Sequence, residues 1–412
     1  MIFENKDREH HHWHHFKFIS NAFYEFKGFG KTVTGYILMH SIGGIFFAYV
    51  VIAPILMNKM GISILQAELF FAAASILDVI LTFIVGRYLD RISPNICMAL
   101  DWLTESVPAF IFSLAITPFH FFIGLLSQKM TNFLNPAYRV YENEIFPQEK
   151  RNLIYSYHLL VPEIFQVIAF IVIGYTLTYV FPSILAIRVV LFICGIGLLL
   201  TALIPYKMLF KVKPLNIGKE NSTIHFSKEL YLVTLAEILK AICNELTSAL
   251  IISYYILDEM SGTIMNVLML EAVTSVVIVI TGLFARHLNE TLSEYRISQL
   301  GILLLILYSI FMSRANSFAI VLAAISLQSV GNTIWFPSHS SIVMKLVPRE
   351  KRGIFFSTIN GVSKLIPIIV PVFAGLIAKM FGYYLIFILS MLFYISILFI
   401  YHVLSRRILN ES

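Results

Sequence analysis

Apolar runs follow one another along the chain from residue 33 to residue 404. Each is about 20 residues or longer, the length a helix needs to cross a bilayer. They are too long and too continuously apolar to alternate as barrel strands do. Helix remains, because it bonds every backbone group within its own segment. The expected fold class is therefore an all-α integral membrane protein. Composition agrees: 58% of residues are hydrophobic and 13% charged, against roughly 25% charged in a soluble domain. The net charge of +6 follows from loop topology and is no sign of nucleic-acid binding. Twelve transmembrane spans are predicted, at 33–57, 64–86, 95–117, 119–140, 153–180, 183–205, 229–257, 262–285, 294–313, 317–345, 353–379 and 382–404.

The two halves of this series repeat. Phe146–Arg151 reads F-P-Q-E-K-R and Val347–Arg352 reads V-P-R-E-K-R, 201 positions later in a chain of 412. At the same offset Pro136 matches Pro337, Ser156 matches Ser357, Val161 matches Val362 and Gly174 matches Gly375. A repeat at fixed offset implies a duplicated structural unit. The predicted organisation is a His-rich tail (1–32), a six-helix bundle (33–205), a linker (206–228), a second six-helix bundle (229–404) and a short tail (405–412). The linker carries Pro214, Gly218 and five lysines. Twelve spans put both termini on one side. That side, with the linker, holds 23 basic residues against three (Lys59, Arg314 and Lys379) on the other. Lys and Arg mark the cytoplasmic face, so both termini are expected there, in the plasma membrane.

Twelve spans in two related halves with a basic central loop resemble the major facilitator superfamily. Local residues carry the likeness further. Loop 2–3 reads Gly86-Arg87-Tyr88-Leu89-Asp90-Arg91-Ile92-Ser93, similar to that family's G-x-L-a-D-r-x-G signature with Ser93 in place of Gly. Gly86 allows close helix approach, and Asp90 favours the N-terminus of a neighbouring helix, which the resemblance makes span 11. The P-x-E-K-R elbows fit the family's loops 4–5 and 10–11. Two departures stand out. The second-half counterpart, Gly282 to His287, has Arg286 where Asp would stand. Span 5 has Val161-Pro162-Glu163 instead of the G-x-x-x-G-P-x-x-G-G run of many proton–drug antiporters. The resemblance implies two bundles that rock about a central cavity.

Ionisable residues at bilayer depth are functional candidates because insertion costs at least about 2.5–3.5 kcal/mol each. Glu163 and Lys364 occupy equivalent repeat positions, each roughly 16 Å in from its elbow. Glu271 lies at roughly the same depth and Asp78 at roughly 12 Å. The implied fold sets span 2 beside span 11 and span 5 beside span 8. Asp78 would then face Lys364 as an ion pair, and Glu163 would lie near Glu271. Two carboxylates meeting there would share a proton, a coupling device. The alternatives are a static clip and two carboxylates that point apart.

The same resemblance lines the cavity with spans 1, 4, 7 and 10. Their mid-depth polar residues are the substrate-binding candidates: His40, Lys129, Asn132, Glu237, Lys240, Asn244, Gln328 and Asn332. Glu237 and Lys240, three apart, can pair on one helix face. Lys129 has no partner within its own helix and is the better candidate for binding an anionic group. His40 is either a proton carrier or a packing residue. Gln328 and Asn332, four apart, bind hydroxyls or bridge helices. Glu245 and Arg188 are expected to snorkel to the outer interface. Asp101 and Glu105, on one face of span 3, either support loop 2–3 or face a vestibule. The gating set is Gly86, Asp90 and Arg91, with Glu149, Arg151, Glu350 and Arg352 as elbow latches.

The run His10-His11-His12-Trp13-His14-His15 can bind Zn²⁺ weakly, as any flexible histidine tract does. An interface-seeking tail is the preferred reading, and neither a metal site nor a cofactor is predicted. Cys97, Cys194 and Cys243 sit in apolar segments as packing thiols. No signal peptide, no phosphate-binding glycine loop and no catalytic motif is found. The predicted function is secondary transport of a small polar or charged solute by a monomer in lipid, coupled to protons. Drug efflux by proton antiport and a non-transporting sensor are the alternatives.

Overall fold

The structure, a computed structural model, describes residues 26–85, 92–130, 134–212, 227–347, 355, 359 and 361–411. Among these residues everything regular is helix. In chain order the helices are α1 (Lys31–Phe46), α2 (Tyr49–Lys59), α3 (Ile64–Val85), α4 (Pro94–Leu114), α5 (Pro118–Lys129), α6 (Pro136–Ile145), α7 (Arg151–Tyr175) and α8 (Ile184–Thr201). The second half adds α9 (Lys228–Leu246), α10 (Ala249–Tyr254), α11 (Ile264–Thr291), α12 (Glu294–Ser313), α13 (Phe318–Leu346), α14 (Ile366–Phe381) and α15 (Tyr383–Glu411). Among the described residues, ten helical segments are long and apolar enough to cross a membrane. The remaining two of the twelve spans are the fourth, broken between α5 and α6, and the seventh, broken between α9 and α10. Span 1 is also broken, between α1 and α2.

Local chemistry sets the helix starts. Pro94, Pro118 and Pro136 stand in the first turns of α4, α5 and α6, where a missing N–H costs nothing. Ser183, Ser227 and Ser248 accept from the backbone N–H of Ala186, Leu230 and Ile251. Thr263 and Asn266 close a capping box on α11. Gly61 and Gly382 hold φ of 78° and 82° in the tight turns after α2 and α14, a conformation that glycine adopts without a Cβ penalty.

Each half packs mainly on itself: α4 lies along α8 and α1 along α7, while α12 lies against α13 and α15. Two seams join the halves, α3 with α14 and α7 with α11. The repeat explains how they close. Gly174 on α7 and Gly375 on α14 are equivalent positions, and each is a notch for the other half. A Cβ on Gly375 would stand 3.1 Å from Leu65 Cα and Glu68 Cβ; one on Gly174 would stand 2.8 Å from Met265 Sδ. At the face away from the elbows, hydrogen bonds seal the halves. Asn58 donates to Asp258 at 2.6 Å, the Tyr254 hydroxyl to the Ile62 carbonyl at 2.9 Å, and the Met265 N–H to Thr178 at 2.9 Å. On the outside of α7, Ile164, Ile168, Val172 and Tyr175 form an exposed apolar stripe, as a lipid-facing helix requires.

Candidate functional site

A cavity of about 580 Å³ lies between the halves. Its wall includes both helix breaks nearest the centre: Phe47, between α1 and α2, and Ser248, between α9 and α10. These are equivalent repeat positions. Polar groups converge on it from several elements: Glu68 of α3, Glu105 of α4, Gln128 and Lys129 of α5, Gln166 of α7, and Asn244 and Glu245 of α9. Phe47, Phe71 and Phe170 supply the apolar wall.

Each charge has a distinct setting. Lys129 Nζ stands 3.9 Å from the centre of the Phe71 ring, with Glu245, Asp78, Lys364 and Glu68 as charged neighbours. It is therefore not the uncompensated cation that its own helix suggests. Tyr49 donates a hydrogen bond to Glu105 Oε2, and the Ser248 side chain stands beside Glu68. Glu68 is only 1% exposed, and its Oε1 meets no hydrogen-bond partner among the described residues. Glu68 was missed in the sequence because it sits four residues into span 2, where it passes as interfacial. Glu245 was expected to snorkel. Instead the break after Leu246 turns it to the cavity. Arg188 reaches the outer end of α4, where it donates to the carbonyl of Ala115.

The other sequence candidates are dispersed. Lys129 and Asn244 line the central cavity. Glu237 and Lys240 do not pair. Glu237 Oε2 lies 3.7 Å from His339 Nε2, whereas Lys240, 4% exposed, donates to Asn244 Oδ1 and lies over Trp335 and Tyr394. The i to i+3 rule places such a pair on one face, but the His339 and Trp335 side chains of α13 draw the two groups apart. His40 packs among Tyr36, Trp102, Tyr138 and His158, with Nδ1 3.1 Å from the Tyr36 carbonyl. Gln328 and Asn332 line a second, smaller cavity of about 230 Å³ within the second half, with Glu271.

At the seams, Lys364 donates to Asp78 Oδ1 at 2.8 Å and to the Thr82 hydroxyl at 2.5 Å. Glu163 lies close enough to Glu271 to act on it electrostatically. Arg151 folds back on its own elbow, donating to the carbonyls of Asn143 and Phe146 at 3.2 and 3.3 Å. Ser93, the departure from the loop 2–3 signature, donates to the Val212 carbonyl at 2.9 Å. Asn95 joins it by accepting from the Val212 N–H, so the start of span 3 holds the chain entering the linker. Asn132, Gly86, Asp90, Arg91, Glu350 and Arg352 lie outside the described residues, as does the histidine run 10–15. Cys97, Cys194 and Cys243 are free and buried.

The sequence model of the Major Facilitator Superfamily matches the chain twice, over residues 35–240 and 233–409. The chain belongs to the major facilitator superfamily. It is a multi-pass membrane transporter and not an enzyme. No curated protein matches it by sequence. Among solved structures it is similar to a bacterial homologue of the human lysosomal transporter Spinster in an inward-facing, occupied conformation. That pair has a TM-score of 0.70 at 12% identity, covering 91% of this chain and 96% of the other. It is also similar to a bacterial homologue of the iron transporter ferroportin in an inward-facing state (TM-score 0.68, 13% identity, 89% and 98% covered). A POT family transporter in complex with 5-aminolevulinic acid aligns as well (TM-score 0.66, 14% identity, 92% and 100% covered). At these identities the shared property is the fold.

Proposed function

We propose that this superfamily member is a secondary transporter that moves a small polar or charged solute by alternating access, coupled to protons. The observation that carries the reading is the central cavity, which holds three carboxylates and a lysine between two halves already sealed on one face. The repeat-related bundles, 33–205 and 229–404, rock about it. Asp78 and Lys364 form the charge-coupling pair across one seam, and Glu163 with Glu271 carries the exchanged proton. The elbow residues Glu149 and Arg151, with Glu350, Arg352 and the loop 2–3 set Gly86, Asp90 and Arg91, form the inner gate. Lys129, Asn132 and Asn244 contact the solute, and Gln328 and Asn332 serve its second-half side. Both termini are cytoplasmic and the protein works as a plasma-membrane monomer.

The basic residues support the orientation, since Arg139, Lys150, Arg151 and Lys345 all lie towards the elbow face. Export of amphiphiles by proton antiport is the second reading, favoured by the aromatic wall of the cavity. Flux in proteoliposomes, across a panel of sugars, amino acids, organic acids and amphiphilic drugs, tests both readings. A polar solute whose flux responds to an imposed pH gradient supports the first. Flux confined to amphiphiles supports the second, and no flux for any solute refutes both.

A further inference from the structure

We propose that the central cavity selects an organic ammonium ion carrying at least one N–H, and that Glu68 is its anchor. The inference rests on the transport reading and narrows it to a substrate class. The cavity holds three carboxyl groups, Glu68, Glu105 and Glu245, and one amine, Lys129. Of the charges around Lys129, Glu245 acts on it most strongly. Glu105 receives the Tyr49 hydroxyl. That leaves Glu68, which is fully buried beside Ser248 and has no hydrogen-bond partner at Oε1 among the described residues. A buried carboxylate oxygen without a donor is costly. A ligand N–H of positive charge supplies both the donor and the countercharge.

The remaining features fit the same ligand. The aromatic wall tolerates a cation: the Lys129 ammonium already sits over the Phe71 face. The cavity volume suits a small molecule with an apolar body beyond its amine. A bare divalent metal ion fits less well, because the described residues hold no cluster of three His, Cys, Asp or Glu that could ligate one. Glu68 also stands where Gly375 of α14 packs on α3. An amine bound there sits against the contact that closes the face away from the elbows, which ties occupancy to closure.

The test is binding to the purified full chain in detergent, with three probes of one shape and a metal. Phenethylamine offers N–H donors. Its N,N,N-trimethyl derivative keeps the charge and removes them. 3-Phenylpropionate reverses the charge, and Mn²⁺ is the inorganic cation. The expected result is that phenethylamine binds at least about tenfold more tightly than its trimethyl derivative, the value of one hydrogen bond to a charged group. The carboxylate and the metal should not compete with it. Glu68→Gln should weaken the amine by a similar factor. The probe series on the unaltered chain does not depend on that variant folding. Equal affinity for the primary and quaternary amines, or preference for the carboxylate or Mn²⁺, overturns the proposal. The transport reading fails separately. Amine binding with no flux of any solute would sink transport and leave the anchor. Flux of a sugar or an organic acid that phenethylamine cannot inhibit would do the reverse.

Discussion

Gly375→Ala is expected to push the protein toward the state open on the face away from the elbows. The new Cβ would stand 3.1 Å from Leu65 Cα and 3.1 Å from Glu68 Cβ. One of those atoms is backbone and the other is fixed to it, so the strain is relieved only if α14 and α3 separate. Overpacking of this kind costs about 1–3 kcal/mol. The cost falls only on the conformation in which the two helices touch, so the equilibrium shifts by about 5- to 150-fold. Gly174→Ala, at the equivalent position, should act in the same direction but more weakly. Its closest obstacle at 2.8 Å is the Met265 sulfur, the movable part of a flexible side chain. The assay is the rate at which a bulky maleimide, added from that face, labels a cysteine placed at Ala53 on the cavity wall. Gly361→Ala is the control, since nothing lies within 4 Å of a Cβ there. Equal labelling rates in Gly375→Ala and Gly361→Ala would refute the notch.

Removing either partner of the Asp78–Lys364 pair strands a mostly buried charge, an effect of about 3–5 kcal/mol in a fully buried pair and less here. Asp78→Asn and Lys364→Met should each lower the melting temperature, and the double variant should lose less than their sum; strict additivity contradicts a direct pair. Glu163→Gln and Glu271→Gln should flatten the pH dependence of uptake, and an unchanged profile removes them from the proton path. Ser93→Gly deletes the bond to the Val212 carbonyl, a loss of about 0.5–1.5 kcal/mol. It should speed proteolysis at the linker, and unaltered cleavage would show that the contact does not restrain it.

Much of the fold was legible because membrane helices announce themselves by length and because the repeat fixes equivalent positions. Gly174 and Gly375 were visible as a match before their role as notches was known, and Asp78 and Lys364 meet as the adjacent spans required. The cavity was less legible. The breaks in spans 1 and 7 interrupt runs whose hydropathy does not change, and only Ser248, a side-chain cap in an apolar context, hints at one of them. Without the breaks Glu245 reads as an interfacial residue, and Glu68 reads the same way from its distance to the span end. Glu237 and Lys240 failed for the opposite reason: spacing along one helix predicts a pair, but the neighbours on α13 and α15 decide where each side chain goes.

Alternating access itself is best tested by distances measured between spin labels on both faces of one reconstituted protein. Lys59 and Glu259 are exposed on the sealed face, and Gln148 and Lys345 on the elbow face. When substrate or a pH gradient is applied, the first distance should lengthen as the second shortens. Two distances that stay fixed while ligand binds, or that change in the same sense, would contradict the account.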